Sequence, residues 1–183
     1  MKPDKIDMEL NPQPIVGTHN VDQSDYFATL VTFASWGDAK AQHNLGASYL
    51  EGKEVAQDYA EALHWHTLAA EQGHPLAQHD LGTMYLEGLG TTPDASAALH
   101  WFTKAAEQGD AKAQSNLGIL YATGEGVEED IVEAAKWFHL AAIANLPDGL
   151  ENLKIAQEDM TPQQAAKAKQ LASEWSPTAK KSD

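Results

Sequence analysis

A period of 36 residues runs through most of this 183-residue chain. Leu45, Leu81, Leu117 and Leu153 recur at that spacing, the first three each followed by a glycine (Gly46, Gly82, Gly118) and then by Tyr49, Tyr85 and Tyr121. Gly52, Gly88 and Gly124 come next, then Asp58, Asp94 and Asp130, then Trp65, Trp101 and Trp137. Alanine pairs (Ala69-Ala70, Ala105-Ala106, Ala141-Ala142) close each unit. A unit of this length is one supersecondary element that cannot bury its own tryptophan and tyrosine, so successive units must stack and share a continuous core.

Within a unit, Ala41, Leu45 and Tyr49 fall at i, i+4 and i+8, one stripe of a helix over about 38–51, with Gly46 beside it where a second helix comes close. The stretch from Gly52 reads as a turn. Asp58 and Glu61, and again Asp130 and Glu133, have the spacing of a helix N-cap and its reciprocal partner. A second helix over about 59–72 then carries Ala62, Trp65 and Ala69 on one face and is ended by Gly73. Each unit is a helical hairpin, and the repeats run 37–72, 73–108 and 109–144. One period back, Asp22 and Gly37 bracket an isolated second helix at 22–36 that seals the N-terminal end. At the other end Asn145 takes the place of the closing glycine, Asp148 to Asp159 reads as a last first-type helix, and Thr161-Pro162-Gln163-Gln164 starts a capping helix that runs to Trp175. Residues 1–21 and 176–183 read as disordered tails, and Ile15-Val16 amid prolines as part of a mobile leader rather than a docking motif. The expected fold is an all-α solenoid of stacked antiparallel hairpins.

The net charge is −15, all of it within 22–175, where eight lysines face twenty-three acids. No arginine is present, so the side chain best suited to forked phosphate contacts is missing from an acidic molecule, and nucleic acid is excluded as a partner. No run approaches the roughly 18 apolar residues of a bilayer-spanning helix, and the first residues lack the apolar core of a signal peptide. The expectation is a chain that does not bind membranes and is cytoplasmic, or periplasmic if a leader has been removed. Without cysteine there is neither a disulfide framework nor a thiolate site.

The pattern stands as AQHNLGASYLEG at 41–52, AQHDLGTMYLEG at 77–88 and AQSNLGILYATG at 113–124, each followed by the aspartate, tryptophan and alanine-pair signature. It resembles the Sel-one-like repeat family, relatives of the tetratricopeptide solenoids, strongly over about 37–146 and with half-units over 22–175. The resemblance implies a right-handed solenoid and an adaptor that organises protein complexes, not an enzyme. The family's turn, G-x-G-V, stands complete at Gly124-Glu125-Gly126-Val127; Glu54 replaces the second glycine in the first unit and Thr91 the valine in the second. If that glycine position has positive φ, Glu54 costs about 1 kcal/mol and its loop is the strained one.

Eight histidines invite a search for chemistry. His64 and His66 lie about 200° apart on a helix and cannot grip one metal. His64 and His100 share a position with Lys136, a solvated face, whereas His66 aligns with Phe102 and Phe138 and is expected to pack at an inter-unit seam. His43 and His79 share a first-helix position, but equivalent positions of neighbouring units lie roughly 10 Å apart, too far for both to chelate one ion. No phosphate loop, dinucleotide fingerprint or nucleophile elbow is present, and Glu128-Glu129-Asp130 reads as a capped helix start. Gln42, Gln78 and Gln114, with Asn44, Asp80 and Asn116, read as internal hydrogen bonders of the repeat. No metal or cofactor is expected.

By analogy with tetratricopeptide first helices, the concave surface is lined by Lys40, His43, Ala47, Leu50 and Glu51 of the first unit. Leu76, His79, Thr83, Leu86 and Glu87 follow from the second, and Lys112, Ser115, Ile119, Ala122 and Thr123 from the third. The expected function is a scaffold that holds another protein or a peptide segment, basic in charge, in this groove. The alternatives are a histidine-dependent metal-binding enzyme and a pH-responsive regulator whose histidines face Glu51 and Glu87.

Overall fold

The computed structural model describes residues 23–178, with side chains from Tyr26 onward. Among these residues it contains nine α-helices and no strand: α1 (Gln23–Ser35), α2 (Ala39–Glu51), α3 (Tyr59–Glu71), α4 (Pro75–Glu87), α5 (Ala95–Glu107), α6 (Ala111–Thr123), α7 (Ile131–Ile143), α8 (Pro147–Glu158) and α9 (Pro162–Glu174). Each helix from α1 to α7 packs on the next, and α9 turns back to pack on α7. Asp22 and the segments 1–21 and 179–183 lie outside the described residues. Just beyond α9, Thr178 donates from its backbone N–H (2.8 Å) and its hydroxyl (3.1 Å) to the Glu107 carbonyl.

Local chemistry explains where the helices begin. Asp38 and Asp110 accept from the backbone N–H of Ala41 (2.6 Å) and Ala113 (2.8 Å) at the starts of α2 and α6. Asp58, Asp94 and Asp130 cap α3, α5 and α7 in the same way. Such caps satisfy N–H groups that the helix cannot. The reciprocal half expected of Glu61 and Glu133 is not formed. Glu61 instead accepts from the Trp65 indole N–H (3.1 Å), and Glu133 from the Lys136 ammonium (2.8 Å), because both partners stand within one helical turn. The box at Thr161 and Gln164 is complete.

Turn geometry bears out the reading of the first-unit loop. Glu54 has φ 65°, the conformation that Gly90 and Gly126 adopt at φ 74° in the next two units. In the third unit the glycine also makes room, since a Cβ on Gly126 would lie 2.6 Å from the Ala95 carbonyl group. Asn145, at φ 62°, replaces the closing glycine as expected.

The core follows the repeat. Leu45, Leu81, Leu117 and Leu153 are all buried. Trp65 packs on Leu30, Ala34, Ala41 and Leu45; Trp101 on Ala69, Ala70, Ala77 and Leu81; Trp137 on Ala105, Ala106, Ala113 and Leu117. The three tryptophans therefore occupy equivalent surroundings, as a single stacked core requires. Gly46, Gly82 and Gly118 let the two helices of each hairpin touch. A Cβ there would lie 3.0 Å from the ring of His66, 2.7 Å from Phe102 and 2.6 Å from Phe138. His66 thus packs first against its own unit's α2, within the hairpin rather than only at the inter-unit seam.

Glutamines join the units. Gln42, Gln78 and Gln114 donate to the carbonyls of Ala34 (3.1 Å), Ala70 (3.0 Å) and Ala106 (3.2 Å) near the preceding helix's end, where carbonyls lack intrahelical donors. Gln72 and Gln108 in turn donate to the side-chain oxygens of Gln42 (2.6 Å) and Gln78 (2.7 Å). Ala144 stands where the third such glutamine would be, and the side-chain oxygen of buried Gln114 has no partner among the described residues.

Candidate functional site

A polar ladder runs along α2, α4, α6 and α8. Each rung joins a side chain to the residue 37 positions later: His43 to Asp80 (2.9 Å), His79 to Asn116 (3.4 Å), Ser115 to Asn152 (3.3 Å). The offset of 37 is one period plus one residue, so the same two helix positions face each other at each boundary. The ladder is unequal in charge. Its first rung ends on a carboxylate, and that carboxylate is also reached by His79 Nδ1 from its own helix at 3.0 Å. A carboxylate only accepts, so both imidazoles donate to it. The two histidines that their spacing separates are joined through Asp80.

Beneath this rung lies His66, fully buried on α3, with neither ring nitrogen hydrogen-bonded among the described residues. Its ring centroid is 5.4 Å from that of His43, and one nitrogen of each ring and one Asp80 oxygen lie within 4.8 Å of one another. On the other side of His43, the His74 ring stacks at 4.8 Å and 22°. His74 caps α4 by accepting from the Ala77 N–H at 3.3 Å through Nδ1. Burial pushes the His66 pKa down to about 4, against the pull of Asp80 and with help from His43 and His74. For Asp80, burial pushes the carboxyl up, but the hydrogen bonds from His43 and His79 outweigh it and hold it well below the usual carboxylate range. The result is a fixed negative charge beside a neutral imidazole, enclosed between the first and second hairpins.

The other residues expected to line the groove are spread along the same helices. Lys40 is exposed and edges a recess with Tyr26 and Phe33 of α1. Ala47 and Leu50 are half-buried, and Glu51 is exposed and paired with Lys53 rather than with a histidine. In α4, Leu76 and Glu87 are exposed, Leu86 leans on the core, and the Thr83 hydroxyl donates to the His79 carbonyl at 3.2 Å. In α6, Lys112 is exposed, Ser115 is buried beneath Asn152, and Ile119 and Thr123 open with Ala122 onto a recess of about 270 Å³ floored by Phe138 and Ile155. His64 and His100 are exposed, and Lys136 lies over the Trp137 ring at 4.3 Å. Among the described residues no helix is long and apolar enough to cross a membrane.

Comparison with known proteins places this geometry in a family. The family model of the Sel1 repeat matches residues 39–74, 75–110 and 111–146, three adjoining units of the observed period that together exceed half the chain. The chain belongs to the Sel1 repeat family. Its solved relatives include a protective antigen of uropathogenic Escherichia coli with an SLR fold, 36% identical, TM-score 0.77, covering 82% of this chain and 32% of that one. A Sel1 repeat protein from Oxalobacter formigenes is also 36% identical, with TM-score 0.65 over 70% of this chain and 97% of that one. This chain spans about a third of the length of the E. coli antigen. No curated protein matches it. Sel1 repeat proteins commonly act as protein-interaction scaffolds, and the fold is typically non-enzymatic.

Within that pattern, three departures meet at the boundary between the first and second Sel1 units, two from the first unit and one from the second. Asp80 stands where Asn44, Asn116 and Asn152 stand; His74 where Asp38 and Asp110 cap; His66 where Phe102 and Phe138 fill the core. The sequence shows each substitution singly. Their convergence on His43 depends on how α2, α3 and α4 pack.

Proposed function

We propose that this Sel1 repeat chain is a scaffold that holds a basic segment of another protein along the face made by its first-type helices. The observation that carries this reading is the charge of the solenoid: eight lysines against twenty-three acids between Asp22 and Trp175. Apolar footholds stand on the same helices, with Leu76 48%, Ile119 41% and Ile155 57% exposed. Exposed Glu51 and Glu87 lie among them. A segment with spaced apolar side chains and lysines or arginines complements such a face, and Ile119 and Ile155 stand one period apart on it. Surface complementarity, not bond-making, does the work.

The test uses the partner captured from native lysate, together with a panel of basic amphipathic peptides read by fluorescence anisotropy. Association slows as salt rises, because the attraction is screened. The Glu51→Lys/Glu87→Lys variant loses the interaction, and equal binding by that variant rejects this face as the contact.

A further inference from the structure

We infer that His43, His66 and Asp80 form a binding site for one divalent transition metal of the zinc class, built across the boundary between the first and second hairpins. This goes beyond the scaffold reading and does not rest on it.

Four observations support the site. The donor set is two imidazoles and one carboxylate, with ligand atoms within 4.8 Å of one another. That set suits borderline divalent ions and leaves a coordination position open. The edge of a tetrahedral site with ~2.1 Å bonds is roughly 3.4 Å, so His43 Nε2 and Asp80 Oδ2, at 2.9 Å, already lie near that edge, and a His66 nitrogen stands within 4.8 Å of both. Second, His66 is fully buried with both nitrogens unpartnered, although its position accepts phenylalanine in both sister units. An imidazole kept there without hydrogen bonds has a cost that a metal–nitrogen bond removes.

Third, an outer layer is in place. His79 Nδ1 holds the second Asp80 oxygen at 3.0 Å and leaves Oδ2 to face His43, the kind of partner that orients a ligating carboxylate. The stacked His74 ring fixes the plane of His43. Fourth, the departures from the repeat are concentrated here: Asp80 for asparagine, His66 for phenylalanine and His74 for aspartate all fall around His43. Binding through Nε2 uses the His43 tautomer that carries its proton on Nδ1, so in the neutral ring the proton now shared with Asp80 is exchanged through solvent to Nδ1, and only a doubly protonated ring releases a proton. The His43 and Asp80 side chains are 14% and 28% exposed, so the open position faces the first-helix surface. Since His43 and His66 come from the first hairpin and Asp80 from the second, the ion ties the two units together.

The test is calorimetric titration of the full-length, tag-free chain, stripped with chelator, with Zn²⁺, alongside Co²⁺ titration followed by visible absorption. One ion per chain is expected, with a raised melting temperature and a tetrahedral or five-coordinate Co²⁺ spectrum. The variants His66→Phe and Asp80→Asn copy the sister units, so both retain the fold by circular dichroism, and each weakens binding at least 100-fold. His79→Gln weakens it about 10- to 100-fold, and His100→Ala leaves it unchanged. Absence of stoichiometric binding overturns the inference. So does Zn²⁺ binding that survives in both His66→Phe and Asp80→Asn, or equal binding of Mg²⁺, which prefers all-oxygen sites.

Discussion

His43 Nε2 lies 2.9 Å from Asp80 Oδ2 across the boundary between the first and second hairpins, and the same carboxylate holds His79 through its other oxygen. One side chain therefore couples two histidines that the repeat places in separate units. At the corresponding rungs further along, Asn116 and Asn152 make longer, uncharged contacts. The first boundary is the most polar of the three and also encloses the fully buried His66.

Replacing His66 with phenylalanine stabilises the metal-free protein. The substitution removes two buried nitrogens without partners and installs the ring that packs over the glycine in the other hairpins. The expected gain is about 1–2 kcal/mol, the usual cost of an unsatisfied buried polar group. Urea melts of chelator-treated protein measure it, and a loss of stability contradicts the packing described for this position.

Glu54→Gly relieves the one first-unit loop residue held at φ 65°. Relative to glycine, a side chain in that conformation costs about 1 kcal/mol, so the variant melts at higher urea with an unchanged slope. No change in midpoint argues that the Glu54 backbone relaxes in solution.

Ala144→Gln extends the glutamine relay by one unit. Ala144 shares the backbone conformation of Gln72 and Gln108, and the new amide reaches the unpartnered oxygen of Gln114. A hydrogen bond to a buried acceptor is worth about 1 kcal/mol. Paired measurement with Gln114→Leu in a double-mutant cycle separates that bond from any gain at the helix end.

His139 on α7 sets a pH dependence at the other end of the solenoid. Burial lowers its pKa below the ordinary 6.5, and Lys169 of α9 lowers it further. Between that lowered value and 6.5 the unfolded chain binds the additional proton, so this group's contribution is complete above about pH 6.5 and stability falls as the pH drops below it. Ring titration by NMR places His139 below 6.5, and Lys169→Gln raises it. Titration of wild-type His139 at or above 6.5 contradicts the assignment.

The hairpins were legible because their signals are local. The spacing of Leu45 from Leu81, the aspartate caps, and the left-handed positions at Glu54 and Asn145 follow from contacts within a turn or two of chain, and each appears in the structure where the repeat puts it. The Glu61 and Glu133 side chains were not legible because two partners compete for each carboxylate, and spacing alone does not choose between the N-cap backbone and Trp65 or Lys136.

What the sequence by itself determined is the period, the helices it divides into, and the small residues that let those helices touch. Only the tertiary structure decided that His43, His66, His74 and Asp80 share one enclosure. Positions within a helix are related by a fixed rotation per residue, whereas the register between α2, α3 and α4 is set by how side chains interdigitate, so a separation of 37 residues becomes a 2.9 Å contact only when the hairpins are stacked.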